Sequence, residues 1–190
     1  MNKIRLEAFS DAVVAIVITI MVLELRVPLG TDWPALRPVV STLLLYALSF
    51  VILGIYWANH HHMLYLADRI NGSILWANLH LLFWLTLLPF STRWMGQSQF
   101  APLATAAYGV VMLCAAVAFQ ILQKTIVAYQ GPASKLRAAV GMGAKEKIST
   151  VAFVAAIPLA FISPWISVAL YVSTALLWLV PDRRIESKVP

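Results

Sequence analysis

Long apolar runs, separated by short polar connections, dominate this sequence of 190 residues. The runs cover residues 6–25, 39–58, 73–92, 101–127, 148–163 and 165–181. A helix needs about 20 predominantly apolar residues to cross a bilayer. The first four runs reach that length, and the last two are shorter and meet at Ser163-Pro164-Trp165. The pattern predicts an all-α, polytopic membrane protein.

The composition supports the same class. The chain is 61% hydrophobic and 12% charged, with a mean hydropathy of +0.82, whereas a soluble domain has about 25% charged residues. No connection is long enough for a separate soluble core, so residues 1–190 are expected to form one transmembrane domain. The single cysteine, Cys114, excludes an intrachain disulfide. We attribute the net charge of +6 to membrane topology and expect no nucleic-acid partner.

The distribution of basic residues predicts six spans with both termini in the cytoplasm. If the N-terminus is cytoplasmic and all six runs cross, 11 of the 14 Lys and Arg residues lie inside, as the positive-inside rule requires. They are Lys3, Arg5, Arg69, Lys124, Lys135, Arg137, Lys145, Lys147, Arg183, Arg184 and Lys188, with Arg26, Arg37 and Arg93 outside. A single kinked helix over the last two runs would move three C-terminal cations outside, so these runs are expected to form a hairpin of two spans.

The first apolar run carries polar residues that a lipid-facing helix does not need. Ser10 and Asp11 lie near its start and Thr19 at its middle, and such groups inside a membrane are costly and tend to serve a function. On a helix, Ile16, Ile20 and Leu23 lie along one stripe with Thr19 beside it. Spacing alone favours a packing face over a pore lining for this stripe, and the Ser-Asp pair shifts the balance towards the pore.

The histidines leave two interpretations open. His60, His61 and His62 are consecutive, so on a helix they point about 100° apart and cannot converge on one metal. If His80 met His60 across two helices, the pair would suit bis-histidine haem ligation. Hydrogen-bonded helix packing is the commoner role for such residues. No Ser/His/Asp set, carboxylate pair or phosphate loop is present, so neither an enzyme nor a metal site is expected.

The motif Arg5-x-x-x-Phe9-Ser10-Asp11, followed by an apolar helix with Thr19 and Leu23-Glu24-Leu25, resembles the transmembrane protein 175 family of endosomal and lysosomal potassium channels. The resemblance is closer to its prokaryotic branch, which has one six-span repeat per chain. Three further segments resemble the second and third spans of the family: Tyr56-Trp57-x-x-His60, Asn78-Leu79 and Leu88-Pro89-Phe90-Ser91-Thr92.

The resemblance implies a homotetramer in the lipid bilayer of a prokaryotic cytoplasmic membrane. Its first helices line a central pore that passes K⁺ passively, without a cofactor. In the family, a bulky apolar residue five positions after the signature Asp forms the constriction, which is Ile16 here. The resemblance further implies that Ile20 and Leu23 narrow the pore and that Thr19 contributes to the preference for K⁺.

The signature residues Arg5, Phe9, Ser10 and Asp11 are interpreted as an anchor that holds the pore helix in place. Candidate partners for Asp11 are Trp57 and His60 on the second span and Asn78 on the third, and Arg5 either snorkels to the cytoplasmic face or pairs with an acid. Glu24 lies near the outer mouth. It either raises the local cation concentration in a ring of four, or is a solvated or Arg26-paired interface charge.

Two other functions are compatible with a chain of this kind. The first is a small-solute or ion carrier with its site between helices, which the lack of a visible internal repeat disfavours. The second is a membrane packing or assembly subunit, which would conduct nothing and would bind a different protein stably.

Overall fold

The described residues form helices joined by short non-helical connections. The structure, a computed structural model, describes residues 3–25, 27–28, 30–131, 134, 136 and 143–179, with only the backbone at residues 37 and 38. Seven helices lie wholly within these residues: α1 Lys3–Leu23, α2 Trp33–Tyr65, α3 Gly72–Thr86, α4 Leu88–Gln97, α5 Pro102–Gln130, α6 Ala144–Leu159 and α7 Pro164–Leu179. The described residues contain no strand, and the predicted all-α class is confirmed.

Four segments of the described chain are long and apolar enough to cross a membrane: α1, α2, α5 and the pair α3–α4. The two remaining helices, α6 and α7, have 16 residues each. They pack against each other in antiparallel fashion. Trp178 Nε1 donates to Ser149 Oγ at 2.8 Å, and nearer the turn Ser167 Oγ donates to the Ala156 carbonyl at 2.6 Å. The last two apolar runs thus form a hairpin and not one kinked helix.

The third apolar run is not one continuous helix. The sequence predicts a span over 73–92, but α3 ends at Thr86 and α4 begins at Leu88. Pro89 has no N–H, and in a continuous helix its ring would clash with the Leu85 carbonyl four residues earlier. The chain therefore changes conformation at Leu87, whose N–H bonds to Trp84 O at 3.2 Å. The expected single span is a pair of helices over Gly72–Gln97.

Polar side chains and a glycine define several helix ends. Asp32 caps α2 by accepting from the Ala35 N–H at 3.2 Å, and Asn71 caps α3 by accepting from the Ile74 N–H at 2.9 Å. Such caps bind backbone N–H groups that have no partner within the helix. Gly131 follows α5 with a φ of +73°, a conformation that favours glycine. These local signals explain why the connections are short.

Hydroxyl groups pair with one another where α2, α4, α5 and α7 meet. Ser49 Oγ lies 2.9 Å from Thr92 Oγ1 and 3.1 Å from Tyr108 Oη, and all three side chains are buried. The rings of Tyr108 and Tyr171 lie 5.1 Å apart. Tyr171 fits against α5 because Gly109 has no side chain, since a Cβ there would lie 2.4 Å from the tyrosine hydroxyl. Buried polar groups are tolerated in an apolar core when they bond to each other.

Contacts at the helix ends show which termini lie together. Lys3 Nζ donates to the Tyr65 carbonyl at 2.9 Å, so the start of α1 meets the end of α2. At the opposite end, Phe100 lies against Trp165, with ring centroids 4.9 Å apart.

Six of the basic residues used in the topology argument lie outside the described residues: Arg26, Lys135, Arg137, Arg183, Arg184 and Lys188.

Candidate functional site

Helix α1 has one face packed inside its own chain. Its buried residues recur at helical spacing: Leu6, Ser10, Val14, Val17 and Met21. This face contacts α2, α3 and α4. Because the residues are three and four positions apart, they form one continuous stripe. The rotation of α1 about its own axis is therefore fixed within the chain.

The predicted constriction residues lie on the uncovered side of α1. The exposed fractions of Ile16, Ile20 and Leu23 are 56%, 41% and 80%. Thr19 is also exposed, and its Oγ1 donates to the Ile16 carbonyl at 2.8 Å. Since that bond uses the hydroxyl proton, the Thr19 oxygen presents lone pairs on the same uncovered side.

A chain of hydrogen bonds ties α1 to α3 and α2 through three buried side chains. Ser10 Oγ donates to the Leu6 carbonyl at 2.8 Å, so its oxygen accepts from Asn78 Nδ2 at 2.9 Å. The Asn78 Oδ1 atom in turn accepts from His60 Nε2 at 2.7 Å. An amide oxygen can only accept, so His60 carries its proton on Nε2. Every link of the chain then has a defined direction.

A second hydrogen bond joins α1 to α2 at Asp11, the residue after Ser10. Trp57 Nε1 donates to Asp11 Oδ1 at 2.9 Å, and the Trp57 ring is stacked on His61 with centroids 6.2 Å apart. Of the three partners suggested for Asp11, the structure places Trp57 against its carboxylate. The other two, His60 and Asn78, lead to Ser10 instead.

The other two signature residues, Arg5 and Phe9, lie on a different side of α1 from Ser10. Phe9 is about half-exposed and Arg5 is exposed, and at helical spacing both lie on the side of Ile16 and not on the side of Ser10. Anchoring within the chain therefore comes from Ser10 and Asp11.

Glu24, at the other end of α1, has a partner on α4. Arg93 Nη1 donates to Glu24 Oε2. Both residues border an open groove between α1 and the α3–α4 pair, which is also lined by Ile16, Ile20 and Phe90. Glu24 is thus paired with Arg93, whereas the alternative partner Arg26 lies outside the described residues.

The histidines form hydrogen bonds that suit helix packing. His60 is buried and bonded to Asn78, whereas His80 is exposed and its Nε2 accepts from Trp84 on the same helix at 3.0 Å. The two imidazoles thus bond to different groups, an arrangement that favours the packing interpretation over haem ligation. Within the described part of the chain, no three His, Cys, Asp or Glu residues are grouped as a metal site would require.

Arg93 is the site residue that sequence reasoning missed. The topology argument placed Arg93 and Glu24 at the same side of the membrane, and that was the available signal. It could not select Arg93 over Arg26, which is nearer in sequence. The contact between Glu24 and Arg93 joins positions 69 residues apart, and composition does not report on such a contact.

A chain with several apolar spans, and one helix anchored by polar bonds on a single face, is a multi-pass membrane protein. Residues 5–89 match the family model described as "Endosomal/lysosomal potassium channel TMEM175". A potassium channel of Chryseobacterium sp. is 49% identical over 189 residues, covering 100% of this chain and 98% of that protein. The chain belongs to the TMEM175 family, as its first-helix motif predicts. The family is one of channels and not of enzymes.

Similarity extends to a more distant bacterial relative and to a solved structure. A potassium channel of Chamaesiphon minutus is 32% identical over 179 residues, covering 86% of this chain and 87% of that one. The crystal structure of a lysosomal potassium-selective channel TMEM175 homolog from Chamaesiphon minutus matches with a TM-score of 0.78 and 27% identity. It covers 96% of this chain and 97% of that chain, so the whole helical arrangement is shared.

The buried bond chain predicts a stability defect when Asn78 is replaced. Asn78→Leu keeps a similar volume but leaves Ser10 and His60 without their partner. A buried polar group that loses its partner costs about 1–3 kcal/mol. We therefore expect a drop of this size in the free energy of unfolding, measured by denaturant unfolding in detergent.

Asn59→Leu is the matched control. Asn59 lies on α2 and donates to Ile55 O of the same helix at 2.8 Å, so its loss breaks no bond between helices. Equal destabilisation by the two substitutions would show that the Ser10–Asn78–His60 chain does not hold α1 in place.

Proposed function

We propose that this chain forms a homotetrameric channel in which four copies of α1 line a central pore for passive passage of K⁺. The observation that carries the proposal is the two-sidedness of α1. One face is bonded and packed against its own chain, and the opposite face presents Ile16, Thr19, Ile20 and Leu23 uncovered. The potassium channels among the relatives support K⁺ as the permeant ion.

A membrane topology of six crossings is supported by the contacts at the helix ends. The α3–α4 pair counts as one crossing, and the α6–α7 hairpin supplies two. The start of α1 meets the end of α2, and the end of α7 meets the start of α6. With the positive-inside rule, both termini are then cytoplasmic, and residues 1–190 form a single channel domain in the cytoplasmic membrane of a prokaryote.

Several copies are needed because one α1 helix cannot surround a pathway. The uncovered face of α1 and the groove beside it offer apolar surface to further copies. Large uncovered apolar surfaces mark sites of interaction with proteins or lipid. The number four follows from the family resemblance, and the subunit count in detergent or a membrane-like disc tests it.

The gate of the proposed pore is a collar of Ile16 side chains. An apolar constriction stops ions by dewetting and conducts only when it widens. Ile20 and Leu23 continue the same uncovered stripe towards the outer end of α1, so they narrow the pathway beyond the collar. The Ser10 and Asp11 bonds hold the base of this helix and so fix which residues face the axis.

Thr19 supplies the polar group of the pathway. Its hydroxyl proton is engaged by the Ile16 carbonyl, so each of four copies presents an oxygen as acceptor only. Oxygens arranged in this way partly replace the hydration shell of a cation. A fixed hydroxyl ring therefore suits selection by ease of dehydration, without a cofactor.

Ion flux tests the proposed function directly. The purified protein in liposomes or a planar bilayer should pass K⁺ with unitary currents. A stable protein that passes no K⁺ would exclude the channel. Saturable flux without unitary currents would favour a carrier, and a requirement for a second protein would favour an assembly subunit.

Ile16→Asn is expected to raise K⁺ conductance because a polar side chain keeps the collar wet. If Ile16→Asn lowers the barrier to ion passage at the collar by about 1.4 kcal/mol, the current rises about tenfold. The matched control is Val22→Asn, which places the same polar group on α1 at a position that is 46% exposed but off the Ile16 stripe. Equal currents from the two variants would show that Ile16 is not the constriction.

Thr19→Ala is expected to weaken the preference for K⁺ over Na⁺ because the ring of oxygens is lost. A loss of about 0.7 kcal/mol of preference lowers the permeability ratio about threefold, which reversal potentials in mixed solutions detect. Thr19→Ser keeps the hydroxyl and should keep the ratio. Unchanged reversal potentials in Thr19→Ala would remove Thr19 from the selection step.

A further inference from the structure

The carboxylate at the outer end of α1 is neutralised by a residue from another helix. Glu24 follows the last residue of α1, and its Oε2 accepts from Arg93 Nη1 on α4. Both side chains remain partly exposed, so the pair stands in contact with solvent. Solvent-exposed charges act over a distance set by the salt concentration.

The position of the pair connects it with the proposed pathway. Glu24 and Arg93 border the same groove as Ile16 and Ile20. A change of charge at Glu24 or Arg93 therefore acts on the surface that leads to the constriction. A cleft lined by charge of one sign raises the local concentration of the opposite ion.

We propose that Arg93 determines the charge of the outer pore mouth by neutralising Glu24, and that it thereby limits how strongly the mouth attracts cations. The inference rests on the proposed function, in which four copies surround the pore. Four Glu24–Arg93 pairs carry no net charge, whereas four bare carboxylates would form a negative ring. Arg93 is thus a determinant of conductance, although it lies on α4 and not on the pore helix.

Other charges at this end do not alter the comparison. Asp32 is committed to the cap of α2, and the side chains of Arg26 and Arg37 lie outside the described residues. These groups are the same in every variant considered below. Differences among the variants therefore report on Glu24 and Arg93.

Single-channel conductance at two salt concentrations tests the inference. In about 0.01 M KCl, where the screening length is about 30 Å, Arg93→Gln should raise K⁺ conductance about two- to threefold, because Arg93 no longer neutralises Glu24. Glu24→Gln should lower it by a similar factor, because Glu24 no longer neutralises Arg93. In about 1 M KCl the screening length is about 3 Å, and both variants should approach the unmodified channel.

Two control variants separate charge from mechanical support. Arg93→Lys keeps the charge, and the double variant Glu24→Gln/Arg93→Gln removes both charges, so each should conduct like the unmodified channel at low salt. The two single variants predict opposite changes, so either one tests the inference if the other does not fold.

Changes in the same direction, or changes that persist at high salt, would overturn the charge role and leave a mechanical tie between α1 and α4. Unchanged conductance in all variants would overturn it as well. An unmodified protein that passes no K⁺ would overturn the proposed function itself, which distinguishes the two failures.

Discussion

The hydrogen-bond chain from Ser10 through Asn78 to His60 determines how α1 is rotated against the rest of the protein. Each member is buried and is hydrogen-bonded to the next. In an apolar interior, an alternative rotation of α1 would leave these groups without partners, at a cost of about 1–3 kcal/mol for each. A rotation by one residue, about 100°, would also bury Ile16 in place of Val17. The uncovered stripe is therefore a consequence of where Ser10 binds.

The two ends of α1 are held by different kinds of contact. At the Lys3 end, buried neutral bonds and the Trp57–Asp11 bond fix the helix to α2 and α3. At the Glu24 end, a partly exposed ion pair joins it to α4, and such pairs contribute about 0–1 kcal/mol. The polar contacts are thus stronger at the Lys3 end, whereas towards the Glu24 end the buried face of α1 continues through Val17 and Met21.

The sequence is sufficient to predict the helical class, because length and composition report on membrane helices, and its basic residues predict the hairpin at the C-terminal side. It is less informative about faces. When all sides of a helix are apolar, periodicity cannot distinguish lipid, protein and pore, so the half-exposed position of Phe9 is not readable from the sequence. Contacts between distant residues were also out of reach. Glu24 and Arg93 are 69 positions apart, and the contact between their side chains joins α1 to the helix that follows the break at Leu87.

The uncovered stripe of α1 contains no charged side chain between Phe9 and Leu23, since Asp11 is turned towards Trp57. A pore lined by this stripe would therefore discriminate ions along its length by dehydration, through the Ile16 collar and the Thr19 oxygens, and not by fixed charge. The preference for cations over anions would then be determined mainly at the two ends of the pore, where charged residues lie. At the outer end of the proposed pore, the pairing of Glu24 with Arg93 would keep that influence weak. Selection between cations and control over their supply would accordingly depend on different helices of the same fold.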